Sequence, residues 1–188
     1  PPSFLGFEWT LENYAEVNTR SDYFLHFMNS VIISVGSTIL GLIIAIPAAW
    51  SMAFVPAKRT KDILMWMLST KMLPPVGVLV PIYLLFRDMG LLDTVTGLVI
   101  VLTLINLPII VWMLYTYFKE IPGEILEAAR MDGAGFWRIF WRIVIPMSTP
   151  ILMVTLIWQF TNIWNDFLFG VAFSGADSKP ITVGLNNM

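Results

Sequence analysis

The amino-acid sequence predicts an all-α membrane protein, a polytopic helical bundle with a structured polar loop on one side. Three observations lead there. Of the 188 residues, 57% are hydrophobic and 13% are charged, whereas soluble domains carry roughly 25% charged residues. Four stretches are apolar over enough length to cross a hydrocarbon core, which takes about 20 helical residues. The basic residues between those stretches fall unequally on the two sides, as the positive-inside bias requires of a multi-span chain.

The elements follow in chain order. The segment before the first span is polar and carries Arg20. The first span runs from about Phe24 to Val55, and its small residues Ser34, Ser37, Gly41, Ala45 and Ala48 are spaced to line one face, which permits close helix–helix approach. The second runs from Ile63 to Phe86, the third from Gly97 to Phe118, and the fourth from about Met147 to Phe173. Pro47, Pro74, Pro75, Pro81, Pro108 and Pro150 interrupt them; such breaks are tolerated where neighbours or cavities satisfy the freed backbone groups. Lys58, Arg59 and Lys61 follow the first span, and Lys119, Arg130, Arg138 and Arg142 lie between the third and fourth. Those seven residues share a side, against Arg20, Arg87 and Lys179 on the other, so the loop over residues 119–146 is expected in the cytoplasm. The chain opens at Pro1 without Met or a basic-then-apolar leader. It reads as one incomplete membrane domain cut from a longer polypeptide.

The cytoplasmic loop is patterned. In "IPGEILEAARMDGAG", Pro122 stands near a first helical turn, Ala128 and Ala129 keep the helix surface low, and Gly133 and Gly135 can end the helix. A second helix follows, with Phe136, Phe140, Ile143 and Val144 on one face, Arg138 and Arg142 on another, and Pro146 opening the next span. Two short helices joined by a glycine bend suit docking into a partner. They equally suit an amphipathic hairpin resting on the bilayer surface.

Two polar groupings sit inside the spans, where an ionisable residue is a functional-site candidate by default. Lys71 lies in the second span just before Pro74-Pro75. It can face a water-filled cavity, pair with a carbonyl freed by the prolines, or snorkel to the surface. In the fourth span Gln159, Asn162 and Asp166 recur at steps of three and four, with Asn165 adjacent and Trp158 and Trp164 nearby. Amides, a carboxylate and aromatic rings are the groups that hold sugar hydroxyls and stack on sugar C–H faces; interhelical hydrogen bonding uses the same amides. Tyr83 and Asn106 are further candidates for lining a path.

Several chemistries are excluded. The chain has no cysteine and one histidine, His26, so thiol catalysis, zinc fingers and iron–sulfur clusters are out. There is no G-x-x-x-x-G-K-[ST] run to cradle ATP phosphates, and no H-E-x-x-H or G-x-S-x-G. The few basic residues match loop orientation and give no nucleic-acid footprint.

The loop also resembles a known pattern. Glu127-Ala128-Ala129, Gly133, Ile143 and Pro146 stand at the six fixed positions and spacing of the EAA loop of binding-protein-dependent ABC importer permeases, with Ile145 where the family has Leu. "FEWTLENYAEV", "MLPPVGVLVPIYLLFRDMGLLDT" and "IWNDFLFGVAF" are similar to carbohydrate-importer permeases, above all the smaller permease subunit of maltose-type systems. The resemblance covers essentially the whole chain. It implies the type I (MetI-like) importer permease fold, normally of six spans, with the first and last missing here. It implies a coupling helix that seats in a cleft of the ATPase, with Glu127 making polar contacts, Ala128 and Ala129 allowing close approach and Gly133 making the bend. The implied partners are a second permease subunit, a cytoplasmic ATPase dimer that binds ATP-Mg, and a periplasmic or lipid-anchored solute-binding protein. The setting is the bacterial inner membrane, the cargo a sugar, polyol or oligosaccharide, and the chain itself neither an enzyme nor a cofactor binder. Amino acid, phosphate or metal cargo on the same fold is the second reading, and an intramembrane enzyme or channel using Lys71 and Asp166 is the third.

Overall fold

The computed structural model describes residues 22–184; "FEWTLENYAEV" and Arg20 lie outside them. Every regular element in this range is helical. Helix α1 (Tyr23–Phe54) and helix α4 (Val95–Glu120) are long and apolar enough to span a bilayer, and they pack along each other as the centre of the molecule. Between them lie α2 (Thr60–Met72) and α3 (Pro75–Asp88). After them come α5 (Gly123–Met131), α6 (Phe136–Met147), α7 (Thr149–Trp164), α8 (Leu168–Phe173) and the single turn α9 (Ile181–Gly184).

The α1–α4 seam is built from small side chains. Ser34, Ser37, Gly41, Ala45 and Ala49 are buried along α1, so the expected stripe is present with Ala49 in place of Ala48, as a step of four from Ala45 demands. The helices approach closely enough that a Cβ at Gly41 would lie 3.1 Å from Ile110 Cδ1. Two hydroxyls in the seam find partners across it. Ser37 Oγ donates to the Val99 carbonyl at 3.2 Å, and Thr103 Oγ1 to the Ser37 carbonyl at 3.3 Å. The outer side of α1 is apolar and bare, with Ile39 and Ile43 52% and 63% exposed. That pattern suits lipid or a second membrane chain and would be a liability in water.

The second and fourth spans are not single rods. α2 and α3 meet at 99° across Leu73-Pro74, where Pro75 takes the first position of the new helix and the residue before it is held extended. α6 and α7 meet at 69° at Ser148. The straight limb of the fourth span therefore starts at Thr149, and Pro146 belongs to the last turn of α6 instead of opening that limb. The Tyr117 hydroxyl donates to the Met147 carbonyl at 2.9 Å and braces this corner from α4.

Two apolar clusters hold the bundle. One joins the ends of α1 and α4 to α2, α5 and α6 through Trp50, Leu64, Phe118, Leu126, Phe140 and Val144. Trp50 is its hub, with ring centroids 4.2 Å from Phe54, 5.6 Å from Phe140 and 5.7 Å from Phe136. The other, near the opposite ends, joins Ile33, Phe86, Leu98, Ile163, Phe169 and Phe173. The loops carrying Lys58, Arg59 and Lys61 and the basic residues of α5 and α6 thus share one end of the bundle. Arg87 and Lys179 belong to the other.

That second end is closed by hydrogen bonds. Asp93, with φ of 54°, accepts from Gly175 N at 2.7 Å, Ser178 N at 3.1 Å and Ser178 Oγ at 2.8 Å. Its own N–H donates to the Phe173 carbonyl at 2.8 Å. The chain after α8 then crosses to α1, where Asn29 Nδ2 donates to the Asp177 carbonyl at 3.0 Å and Ser30 Oγ accepts from Ile181 N at 2.8 Å.

Candidate functional site

The bend between α2 and α3 opens a cavity of about 460 Å³ beside α4 and the end of α7. Lys71 reaches it from the last turn of α2, and Asn106 from the middle of α4. Asn162, Asn165 and Asp166 reach it from the end of α7 and the turn that follows. Five of the polar residues singled out in the sequence are brought together here.

Their hydrogen bonds leave capacity over. Lys71 Nζ donates to Asn106 Oδ1 at 3.1 Å, using one of the three protons an ammonium offers. Asn106 Nδ2 donates to the Leu102 carbonyl at 2.9 Å, and the amides of Asn162 and Asn165 donate back to the Trp158 and Thr161 carbonyls, each at 2.8 Å. These backbone bonds fix the amide planes and point the remaining groups at the cavity. Asp166 Oδ1 accepts from Phe169 N at 3.0 Å, at the start of α8. The site offers donors and acceptors side by side, which is what a hydroxyl, itself donor and acceptor, requires.

Gln159 departs from the expectation. It is fully buried and turned toward α1 and α4, its Nε2 4.0 Å from where a Gly41 Cβ would stand. Neither amide atom has a partner among the described residues. The reason is that the buried stripe of α7 recurs at steps of four, through Thr155, Gln159 and Ile163, so that Asn162, three residues on from Gln159, falls to the exposed side of it. Trp164 lies on a separate small cleft of about 170 Å³, stacked at 5.7 Å on Phe160 and sharing Thr161 and Asn165 with the main cavity. Trp158 does not line the cavity, and Tyr83 turns its ring against Phe173 at 5.8 Å.

The patterned loop forms a second surface at the basic end. On α5, Glu127 and Ala128 are exposed, whereas Ala129 is only 9% exposed and joins Leu126 in the core beneath. Ala129 is therefore not part of the low outer surface expected of it; it lets α5 sit close to the bundle. Gly133, with φ of 76°, adopts the left-handed conformation that glycine takes without penalty, and the chain reverses there into α6. The expected face of α6 is also redrawn. Ile139, Phe140 and Val144 are buried, while Phe136 is 49% exposed and Ile143 lies at the margin. The cause is a π turn at Phe140–Val144. Its i to i+5 spacing brings Ile139 and Val144 to one side, where α-helical counting separates them.

Sequence reasoning passed over Trp50 and Asp93. Trp50 stands in an apolar run where nothing distinguishes a hub from a lipid-facing ring. Asp93 is legible in hindsight as the residue before the N-cap Thr94, whose hydroxyl accepts from Gly97 N at 2.9 Å.

Residues 41–177 match the family model for the inner membrane component of binding-protein-dependent transport systems. The chain is 33% identical to the diacetylchitobiose uptake system permease protein NgcG of Streptomyces coelicolor, over 95% of this chain and 59% of that protein. It is 34% identical to the alpha-glucoside transport system permease protein AglG of Rhizobium meliloti, over 98% of this chain and 49% of that protein. It thus spans less than two thirds of the length of either. The fold matches a bacterial ABC transporter involved in the import of the acidic polysaccharide alginate, with a TM-score of 0.84 at 24% identity, over 97% of this chain and 64% of that one. A multi-pass helical bundle with an EAA-patterned loop on its basic end, matched to that model over most of its length, belongs to the inner membrane components of binding-protein-dependent transport systems.

Proposed function

We propose that this chain is the permease part of an ATP-driven importer for a sugar, polyol or oligosaccharide in a bacterial inner membrane, with residues 119–146 in the cytoplasm. The observation that carries this reading is the seating of α5. Its outer face presents Glu127 and Ala128, while Leu126 and Ala129 on its inner face share one apolar cluster with the ends of α1, α2 and α4. A push on α5 is therefore delivered to the spans through packed side chains, and cores do not absorb such displacements softly. In this reading ATP-Mg is bound by a separate cytoplasmic ATPase dimer. Closure of that dimer draws α5 and its counterpart on a second permease subunit together, and the spans rock between inward-open and outward-open arrangements. A solute-binding protein delivers the cargo from outside. The cavity at Lys71, Asn106, Asn162, Asn165 and Asp166 is the polar stretch of the path. The carbohydrate uptake named for the two relatives supports the choice of cargo.

The test is to tag the full-length protein, extract it gently and identify what copurifies, with and without Glu127→Arg combined with Gly133→Pro. An ATPase and a second permease are expected with the wild type, and loss of the ATPase alone with the double variant. Absence of any ATPase, even from crosslinked membranes, would end the importer reading.

A further inference from the structure

α6 turns an unpartnered face outward. Trp137 and Trp141 are 66% and 62% exposed, and Arg138 and Arg142 are exposed beside them. The pairs form adjacent aromatic and cationic stripes, one turn long each. Neither arginine forms an ion pair among the described residues. The opposite face of the helix is fixed in the core by Ile139, Phe140 and Val144, and both indoles lean edge-on against Phe140, at 5.9 and 5.0 Å. The stripes therefore cannot rotate inward.

Orientation supplies the second observation. α6 runs at 69° to α7. If α7 stands along the bilayer normal, α6 lies 90° − 69° = 21° from the membrane plane, at the depth where the span begins. Indoles favour that depth, where an apolar ring and an N–H are both accommodated. A guanidinium at the same depth meets phosphate oxygens, which its planar fork binds in bidentate fashion. The other basic residues of this end, Lys58, Arg59, Lys61, Lys119 and Arg130, add charge of the same sign, against the acidic Asp62, Glu120, Glu124, Glu127 and Asp132.

We propose that this face of α6 binds the headgroup of an anionic phospholipid in the adjoining leaflet. Arg138 and Arg142 pair with its phosphate, and Trp137 and Trp141 rest on the acyl boundary. The surface is distinct from the outer face of α5, so the lipid and the ATPase proposed above do not compete for it. The inference rests on the membrane placement of α7, not on the identity of the cargo.

The full-length protein in its native membrane, with a photoreactive benzoylphenylalanine replacing Trp141, is the first test. Irradiation is expected to add a phospholipid to the peptide carrying residue 141. A crosslink to the ATPase or to the second permease instead, or no lipid adduct at all, overturns the proposal. The second test measures lipid carried by the purified complex from nanodiscs of phosphatidylcholine and phosphatidylglycerol, using native mass spectrometry. Phosphatidylglycerol retention is expected to fall only in part with Arg138→Lys and Arg142→Lys, which keep the charge and lose the bidentate fork. It is expected to fall roughly tenfold with Arg138→Gln and Arg142→Gln, in line with the attraction of a basic side chain to an anionic surface. Equal retention by all three complexes overturns it. So does loss of the ATPase from the glutamine complex, because the face would then be covered by protein. Neither result bears on whether the complex imports a sugar.

Discussion

Asp93 Oδ1 gathers three donors from the segment after α8, and the electrostatic consequence can be measured. Desolvation pushes its carboxyl up, but the hydrogen bonds from Ser178 and Gly175 outweigh that, and the net shift lies below the ordinary carboxylate value. A folded value below the unfolded one, near 3.9, means that the stabilisation is complete above about that pH and is lost as pH falls through the lower folded value. Asp93→Ala is expected to lower stability at neutral pH by about 1–3 kcal/mol and to flatten the acid limb of the melting temperature against pH. Asp93→Asn, which keeps an acceptor and tolerates the left-handed backbone, is expected to lose less. An Ala variant with the wild-type acid limb would remove the clip from consideration. A Cβ on Gly175 would collide with the Asp93 carboxylate, so Gly175→Ala breaks the same contact from the other side.

At the scale of elements, the single-helix spans were legible and the bent ones were not. The expected bounds Phe24 to Val55 and Gly97 to Phe118 fall within two residues of α1 and α4, because continuous apolar runs define their own ends. The second span carried its warning in Pro74-Pro75, but composition gives a break and not an angle. The face of α6 was misread because a π turn leaves no mark in residue type. The face of α7 was misread because steps of three and of four were counted as one face, whereas the buried stripe recurs at four, through Thr155, Gln159 and Ile163. Gln159 shows what that costs. Counted onto a polar face of the cavity, it lies buried against the α1–α4 seam with its amide unpaired among the described residues, a state worth about 1–3 kcal/mol of lost stability. Gln159→Met fills nearly the same volume without the unmet polarity. It is expected to raise stability by about 1 kcal/mol in detergent melts and to leave substrate affinity unchanged. A loss of affinity would return Gln159 to the path.

For the whole molecule, the candidate site was legible as chemistry before it was legible as a place. Lys71 and the Asn162–Asp166 cluster were visible as polar residues where lipid excludes them, but their meeting depends on the 99° turn that no local pattern specifies. On the importer reading proposed above, Lys71→Met in the assembled complex is expected to cut uptake by an order of magnitude or more while the ATPase stays bound. Paired alanines at Asn162 and Asp166 are expected to weaken substrate affinity. Unchanged transport in both would leave the cavity a packing feature. The same turn bears on how the protein is made. Only α1 and α4 pass as spans alone, while α2 with α3, and α6 with α7, qualify only together, and Lys71 sits at the α2–α3 joint, where an ammonium inside the bilayer makes insertion costly. The translocation machinery therefore receives two strong anchors separated by a segment with little independent claim on the bilayer. That segment is expected to enter late, drawn in by helices already there, and misassembly in the cell is expected to begin with it.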